Sequence, residues 1–327
     1  MCYLAPMRIK LCLLALALLT LSGCNRPKAV TIFPINNAAF TALHGTNALQ
    51  RIERLVKISP RDSGTAGAAY ASQWIARELR EIGLKPVADT WVEPTANGSM
   101  TFSNIHAELP GRSNSLVIIG SHFDTKSGIC EDFQGANDGG SSTGLLLELA
   151  AFLKTHESLH HTIRFAFFDG EECITTYRIN DGLHGSRRMA TQVAARLGDQ
   201  PVTAVVIIDM VGDQDLKLEI PRNVTPWLAK VALDAAVAAG YPRLTIARGS
   251  MIDDHWPFLE RGMPVVNLID FEYGSAPGKN DYWHSPHDTI DKLSTESLTT
   301  TGRIVLEILA RLEADAVGDT SVGTTTN

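Results

Sequence analysis

Candidate metal ligands and proton carriers follow the apolar runs of this sequence one after another. His122 comes shortly after LVIIG, the pair Glu171-Glu172 follows TIRFAFF, and Asp209 directly follows AVVII. Such apolar runs are typical of buried strands, and the ligands of open α/β sheets collect beyond the carboxyl ends of those strands. We therefore expect these side chains to face one common site.

Two further segments add ligands to this set. Asp138 lies in the glycine-rich loop GANDGG ahead of a predicted helix, and His284 lies in the loop after the apolar run VVNLI. Imidazole and carboxylate groups without a thiolate cluster favour zinc in a catalytic role. A catalytic zinc ion keeps one coordination position open for a substrate carbonyl or a water molecule.

The adjacent glutamates suggest a division of labour. Neighbouring residues at a strand end point in different directions, so one of them can face the metal while the other faces the substrate and moves protons. Taken alone, each candidate has an ordinary explanation, since an aspartate in a glycine-rich loop is usually a turn residue. Their occurrence together, at successive strand ends, favours a metal site.

The elements that must position these residues alternate between strand-like and helical patterns. This alternation implies a largely parallel sheet with helices on both of its faces. Strands are predicted at 101–109, 116–120, 162–168, 202–208 and 265–269, and helices at 46–58, 66–82, 142–153, 185–197, 226–239 and 293–314.

The bulk composition is that of one globular enzyme domain. The chain has 327 residues, of which 44% are apolar and 20% charged, and its net charge is −7. The lysines and arginines are scattered, which argues against a nucleic-acid-binding face. We predict a catalytic domain at 46–315, a tether and lead-in at 25–45, and a disordered polar tail at 316–327.

The first 24 residues have the pattern of an export signal. Arg8 and Lys10 precede the apolar run LCLLALALLTL, which is too short to span a bilayer, for which ~20 residues are needed. The ending LSGC resembles the bacterial lipoprotein box, in which the cysteine, here Cys24, is lipidated after residues 1–24 direct export. We expect a periplasmic or cell-surface protein that is anchored to the membrane by lipid. Cys130 and Cys173 are then either joined in a disulfide or two free thiols.

The motifs occur in the same order as in the zinc aminopeptidase and glutaminyl cyclase superfamily, which the chain resembles from about residue 46 to 315. The resemblance implies a three-layer α/β/α sandwich with a central mixed, mostly parallel sheet. In its dizinc aminopeptidases, the matching residues would hold two zinc ions, with Glu171 as the general base. The motifs are His122-Phe123-Asp124, Asn137-Asp138-Gly139, Asp169-Gly170-Glu171-Glu172, Ile208-Asp209-Met210 and Trp283-His284.

Several features are more similar to the glutaminyl-peptide cyclotransferase branch. Extra residues separate the glutamate pair from Gly185-Ser186, and the segment 253–265 repeats the cyclase pattern of a double Asp, His, Pro-Phe and Gly-x-Pro-Val. Trp283 directly before His284 also matches this branch.

The cyclase resemblance implies a role for each matching residue. One zinc ion would be held by Asp138, Glu172 and His284, with His122 and Asp209 as ligands only if a second zinc is bound. Glu171, Asp209 and Asp253 would handle protons, and Trp283 and Tyr177 would form the walls of the substrate pocket.

Three functions remain open at this point. The leading hypothesis is a zinc-dependent cyclotransferase with one Zn²⁺ per chain, which converts N-terminal glutamine of peptides to pyroglutamate as a monomer. The second is a zinc aminopeptidase with two zinc ions. The third is an inactive surface domain that binds peptides or cell-wall fragments, against which the intact Glu171-Glu172 pair argues. Tyr177 and Ile252 depart from the cyclase pattern, since these positions often carry Trp and, in animal enzymes, Gln.

Overall fold

The structure, a computed structural model, describes residues 40, 42–95, 97–156, 159–178 and 181–322, with side chains up to residue 316. The predicted signal peptide with Cys24, and residues 25–39 of the predicted lead-in, lie outside the described residues. Within the described part of the chain, no helix is long and apolar enough to cross a membrane.

A mixed sheet of eight strands forms the centre of the domain, in the order β1-β2-β4-β3-β5-β8-β6-β7. The strands are β1 (Val87–Thr95), β2 (Gly98–Leu109), β3 (Leu116–His122), β4 (Thr162–Phe168), β5 (Val202–Asp209), β6 (Glu219–Ile220), β7 (Thr245–Ile246) and β8 (Val265–Ile269). The central strands β4, β3, β5 and β8 are parallel to their neighbours within this group. Their carboxyl ends therefore meet at one edge of the sheet.

Helices cover both faces of the sheet. They are α1 (Gly45–Leu55), α2 (Ala66–Glu81), α3 (Gly140–Lys154), α4 (His184–Ala194), α5 (Pro226–Ala238), the single turn α6 (Trp256–Leu259) and α7 (Thr295–Val322).

The two faces of the sheet bury different residues of the same strands. On β3, Val117 and Ile119 pack in the cluster with α1, α2, α3, α5 and α7, while Leu116 and Ile118 pack in the cluster with α4 and α6. Both faces are buried, so the strands are apolar without alternation, as in the sequence runs. The predicted three-layer α/β/α sandwich with a mixed sheet is confirmed.

Several features differ from the sequence prediction, including the two-residue strands β6 and β7 and the single turn α6, which were not predicted. β1 was not predicted, because only Trp91 of its nine residues is buried and its apolar pattern is correspondingly weak. Phe40 and Leu43, in the predicted lead-in, are buried in the core beside α1. At the other end, α7 runs to Val322, so that residues 316–322 of the predicted disordered tail continue a helix whose packed part precedes them.

Candidate metal centre

The predicted ligands converge at the carboxyl ends of the parallel strands. Asp138, Glu172 and His284 each offer one ligand atom, and these atoms lie within 4.8 Å of one another. Nε2 of His284 is 3.1 Å from Oε1 of Glu172 and 3.4 Å from Oδ2 of Asp138. Three residues that are far apart in the chain thus form one cluster, named here the 138/172/284 cluster.

A second cluster shares Asp138 with the first. His122, Asp138 and Asp209 also offer ligand atoms within 4.8 Å of one another. Nε2 of His122 is 3.2 Å from Oδ1 of Asp138 and 3.1 Å from Oδ1 of Asp209. The two oxygens of Asp138 therefore face different imidazoles, an arrangement that suits a bridging carboxylate.

Both clusters have the chemistry of a zinc site. Oδ2 of Asp138 and Oε2 of Glu172 are buried and accept no hydrogen bond from any described residue. Buried carboxylate oxygens without partners are costly, and a bound cation removes that cost. Two carboxylates and one imidazole also leave a fourth position open, which is the arrangement of catalytic zinc. The residues of the 138/172/284 cluster thus fit the ion that the resemblance implies.

Asp288 fixes the loop that carries Asp138. Its carboxylate accepts the backbone N–H of Asn137 at 2.7 Å and that of Asp138 at 3.1 Å, and Tyr273 donates its hydroxyl to the same group at 2.9 Å. Gly139 follows in a left-handed conformation with φ 73°, where a Cβ atom would lie 2.9 Å from the His122 ring. The close approach of loop and ring therefore requires glycine here.

Asp124 fixes the backbone of the glutamate pair in the same way as Asp288 fixes the loop of Asp138. It is fully buried and accepts the backbone N–H of Glu171 and of Glu172, both at 3.1 Å. Oδ1 of Asp124 also lies 3.5 Å from Nδ1 of His122, on the side of the ring away from the cluster. One carboxylate thus orients three residues of the site, in the manner of the outer partners of metal ligands.

Glu171 belongs to neither ligand cluster. It is buried, and Tyr177 donates its hydroxyl to Oε2 of Glu171 at 3.1 Å. Burial raises the pKa of Glu171 well above its ordinary value, and the nearby Glu172 raises it further. A carboxyl group with a raised pKa is suited to exchange protons near neutral pH.

The carboxylates and imidazoles of the clusters influence one another strongly. Burial raises the pKa of Glu172 to about 8 and that of Asp209 to about 6. For Asp138, burial acts in the same direction but the neighbouring imidazoles of His122 and His284 hold its pKa well below the ordinary value. Burial works against the charged form of His284, yet the neighbouring carboxylates of Asp138 and Glu172 raise its pKa to about 9.

A cavity of about 280 Å³ opens onto the 138/172/284 cluster. Trp283 stacks on His284 with ring centroids 3.8 Å apart, and Phe271 meets Trp283 edge-on at 5.0 Å. The cavity is lined by Asp138, Glu171, Glu172, Tyr177, Asp209, Met210, Met251, Ile252, Asp253, Ile269, Phe271, Trp283 and His284. Every residue predicted for the site except His122 therefore lines this cavity, and His122 lies directly behind it.

Two residues of the cavity have strained backbone conformations. His284 has φ 51° and Met210 has φ 49°, in the left-handed region that residues other than glycine rarely occupy. Such strain persists only where the surrounding structure imposes it, and it is common at functional sites.

Sequence reasoning did not assign roles to several residues that hold the site together. Asp124 and Asp288 were visible within motifs, but their contacts with backbone N–H groups depend on the folded chain. Arg61 gave no signal at all. It is fully buried, and its guanidinium donates to the carbonyls of Phe123, Gln134 and Gly135, beside both ligand loops.

The structure also defines the state of two cysteines and the position of one further strand-end carboxylate. Cys130 and Cys173 are both free thiols, which decides between the two alternatives left open. Asp270 follows β8 but lies outside the cavity lining, where it accepts the backbone N–H of Lys217 at 2.8 Å.

Comparisons with known proteins agree with these observations. The profile of Peptidase family M28 matches residues 104–309. A glutaminyl-peptide cyclotransferase of Drosophila melanogaster is 27% identical over 303 residues, which cover 83% of this chain and 82% of that protein.

Two solved structures have the same fold. The glutaminyl cyclase of an Acidobacteriales bacterium superposes with a TM-score of 0.76 at 30% identity, covering 84% of this chain and 96% of that one. A Zn-dependent exopeptidase from Parabacteroides distasonis superposes with a TM-score of 0.70 at 23% identity, covering 82% of this chain and 98% of that one.

Proposed function

The chain belongs to peptidase family M28, a family of enzymes, and we propose that it is a zinc-dependent glutaminyl-peptide cyclotransferase. In the proposed reaction, the α-amine of an N-terminal glutamine attacks its own side-chain amide carbon. The C–N bond of the side-chain amide breaks, ammonia leaves and a pyroglutamyl peptide remains. The similarity to cyclotransferases over most of the chain supports this reaction.

One observation carries the proposal within the family. Glu171 is buried in a cavity of about 280 Å³, apart from the metal cluster, and Trp283 stacks on the ligand His284 at the cavity wall. A small cavity with aromatic and apolar walls holds a flat side-chain amide and excludes water. Exclusion of water favours ring closure, because a water molecule at the same carbon would hydrolyse the amide instead.

Asp138, Glu172 and His284 are the residues that would hold zinc. When bound there, zinc supplies Lewis-acid polarisation of the substrate's amide oxygen. The family implies this ion, and the unpartnered oxygens of Asp138 and Glu172 support its position.

The protein's own groups move the protons and position the substrate. Glu171 accepts a proton from the attacking amine and returns a proton to the departing nitrogen, which its raised pKa favours. Asp209 and Asp253 line the same cavity, where their carboxylates attract the amine. Since both reacting groups belong to one residue, holding that residue in a compact conformation supplies a large share of the rate.

Two substrates test the proposal. Purified protein with zinc is incubated with a glutaminyl peptide and, separately, with a chromogenic leucine amide. We expect pyroglutamyl peptide and ammonia from the first substrate and no leucine from the second. Release of leucine without pyroglutamate would contradict the proposal.

The His122-Asp138-Asp209 cluster favours a second candidate, a dizinc aminopeptidase, because it offers a second set of ligand atoms that shares Asp138. Elemental analysis of active protein distinguishes the two. One tightly bound zinc ion per chain supports the cyclotransferase, and two support the aminopeptidase.

We also propose that the enzyme is exported and held at a membrane by lipid on Cys24. The support is the charged and apolar pattern before Cys24 and the LSGC ending. Its partners are then peptide N-termini outside the cytoplasm, on which it acts as a monomer.

A further inference from the structure

A second cavity, of about 380 Å³, adjoins the catalytic cavity. Tyr177, Met251 and Ile252 line both cavities, so the two spaces share one wall. Ile252 is 56% exposed, which puts this wall at the protein surface. If the first residue of a peptide fills the catalytic cavity, the shared wall brings the adjoining cavity within reach of its second residue.

The shared wall is well fixed in position. Asn223 donates its side-chain amide to the carbonyl of Met251 at 2.7 Å and accepts the N–H of Met251 at 2.9 Å. On the opposite side, the N–H of Leu183 donates to the carbonyl of Glu171 at 2.9 Å, and Leu183 lines the adjoining cavity. A residue that lines the adjoining cavity is therefore hydrogen-bonded to the backbone of Glu171, the proposed general base.

The remaining lining is apolar with a cationic side. Trp256 and Leu183 supply apolar surface, and Arg187 and Arg178 supply the charge. Arg187 is half-buried, and its guanidinium donates only to the carbonyls of Gly182 and Arg178, at 2.9 and 3.1 Å. Among the described residues, no carboxylate lies within 4.0 Å of either arginine, whereas Arg51, Arg164 and Arg188 each form such an ion pair.

Arg187 has spare capacity for a ligand. Both of its hydrogen bonds within the described chain come from Nη2, so the Nη1 atom keeps its donors for a ligand. Burial lowers the pKa of Arg187, although the charges of Glu260, Glu93 and Asp254 act in the opposite direction. None of these carboxylates is in direct contact with it, and a half-buried guanidinium without such a contact favours a carboxylate, which it binds through its planar array of donors.

We propose that this cavity is a specificity site for an acidic side chain on the residue that follows the N-terminal glutamine. The inference rests on the proposed cyclotransferase activity, because that activity defines which residue occupies the catalytic cavity. Arg187 would pair with the carboxylate, while Trp256 and Leu183 would pack on the methylene groups of the same side chain.

The test compares two peptides that differ only in having Glu or Gln at the second position. For the wild-type enzyme, we expect kcat/KM to be about tenfold higher for the Gln-Glu peptide, as for other charge-assisted hydrogen bonds. This ratio should fall as salt is added, because salt screens partly exposed charges. A ratio near one, or a ratio unchanged by salt, would overturn the inference without any variant.

Variants then test whether Arg187 is the residue that recognises the acidic side chain. Arg187→Gln should lower the ratio to near one, because turnover of the Gln-Glu peptide falls more than turnover of the Gln-Gln peptide, and Arg187→Lys should give an intermediate ratio. Arg248→Gln, which removes an exposed charge outside both cavities, is the control and should keep the wild-type ratio. Retention of the full ratio by Arg187→Gln contradicts the assignment. If neither peptide forms pyroglutamate, it is the proposed function that fails, and not this inference alone.

Discussion

Asp138 lies between two imidazoles, with Oδ1 toward His122 and Oδ2 toward His284. This position makes the metal number a question about single atoms. If only Oδ2 binds zinc, His122 and Asp209 remain a hydrogen-bonded pair at 3.1 Å, close to the cavity. At the residue scale, the proposed chemistry requires that the carboxylate of Glu171 does not bind the metal.

Glu171→Gln removes the group that exchanges protons while keeping its size. We expect kcat to fall by about 10² to 10⁴, which is the usual contribution of a general acid–base residue. The zinc content should stay that of the wild type, because Glu171 is not among the proposed ligands. Pyroglutamate formation and elemental analysis on the same sample measure both effects. Wild-type turnover in this variant would remove Glu171 from the mechanism.

Tyr177→Phe tests the hydrogen bond to Glu171 without removing the aromatic wall. The hydroxyl lies 3.1 Å from Oε2 of Glu171, and hydrogen bonds to charged groups contribute about 1.5–3 kcal/mol. We expect kcat to fall by about tenfold or more while KM changes little. Tyr70→Phe is the matched control, since Tyr70 is 52% exposed and outside the cavity. Equal kcat values in the two variants would show that the contact has no catalytic role.

At the scale of elements, α4 connects the site to the edge of the sheet. Its residue Arg188 donates to both oxygens of Asp89 on β1, at 2.6 and 2.7 Å, and lies over the Trp91 ring. Apart from Trp91, β1 is not buried, so this contact, together with those of Gln192 with Asp89 and of His184 with Glu93, ties the edge strand to the helix that begins beside Glu171. The bidentate geometry makes the pair stronger than a typical surface ion pair.

Asp89→Asn should reveal this tie through the pH dependence of stability. The hydrogen bond from Arg188 lowers the pKa of Asp89, so its stabilising effect is present above the unfolded pKa of about 3.9 and is lost as the pH falls below it. We expect the variant to lose about 1 kcal/mol of unfolding free energy at neutral pH, and the difference from wild type to shrink in acid. Urea titrations at neutral pH and in acid measure this difference in unfolding free energy, with Asp199→Asn at an exposed position as the control. A difference that is independent of pH would contradict the ion pair.

The helices and strands show which patterns in the sequence were sufficient to predict the fold and the site. β3, β4, β5 and β8 were predictable because burial on both faces makes each of them a continuous apolar run, and their parallel arrangement brings Glu172 and Asp209 to one edge. β1 was missed because only Trp91 on it is buried. Arg61 and Asp288 could not have been predicted, since both act by binding backbone groups of loops that are distant in the chain.

At the scale of the whole molecule, one domain carries the candidate site, and we propose that the segment before it determines where the protein is located. The charged and apolar pattern that ends at Cys24 supports membrane attachment through this segment. The catalytic cavity then lies in a domain that the proposed tether keeps near a membrane.

Cys24→Ala tests the anchor. In cells that export the wild-type protein, we expect the wild type in the detergent-soluble membrane fraction. We expect the variant either in the soluble fraction or as a precursor whose signal peptide has not been removed. Labelling with a fatty acid should mark only the wild type, because the thiol is the acceptor. Activity of the purified variant should be unchanged, as Cys24 lies outside the catalytic domain. A Cys24→Ala protein that still carries the label would contradict lipidation at this residue.

A single labelled peptide tests the proposed reaction. The peptide begins with glutamine whose side-chain amide carries the heavy isotope of nitrogen, and its products with the zinc-loaded enzyme are analysed by mass spectrometry. We predict that the label leaves entirely as ammonia, while the unlabelled α-nitrogen stays in the pyroglutamyl ring of the peptide. Recovery of the label in free glutamine, with a shortened peptide, would contradict the cyclotransferase and identify a peptidase.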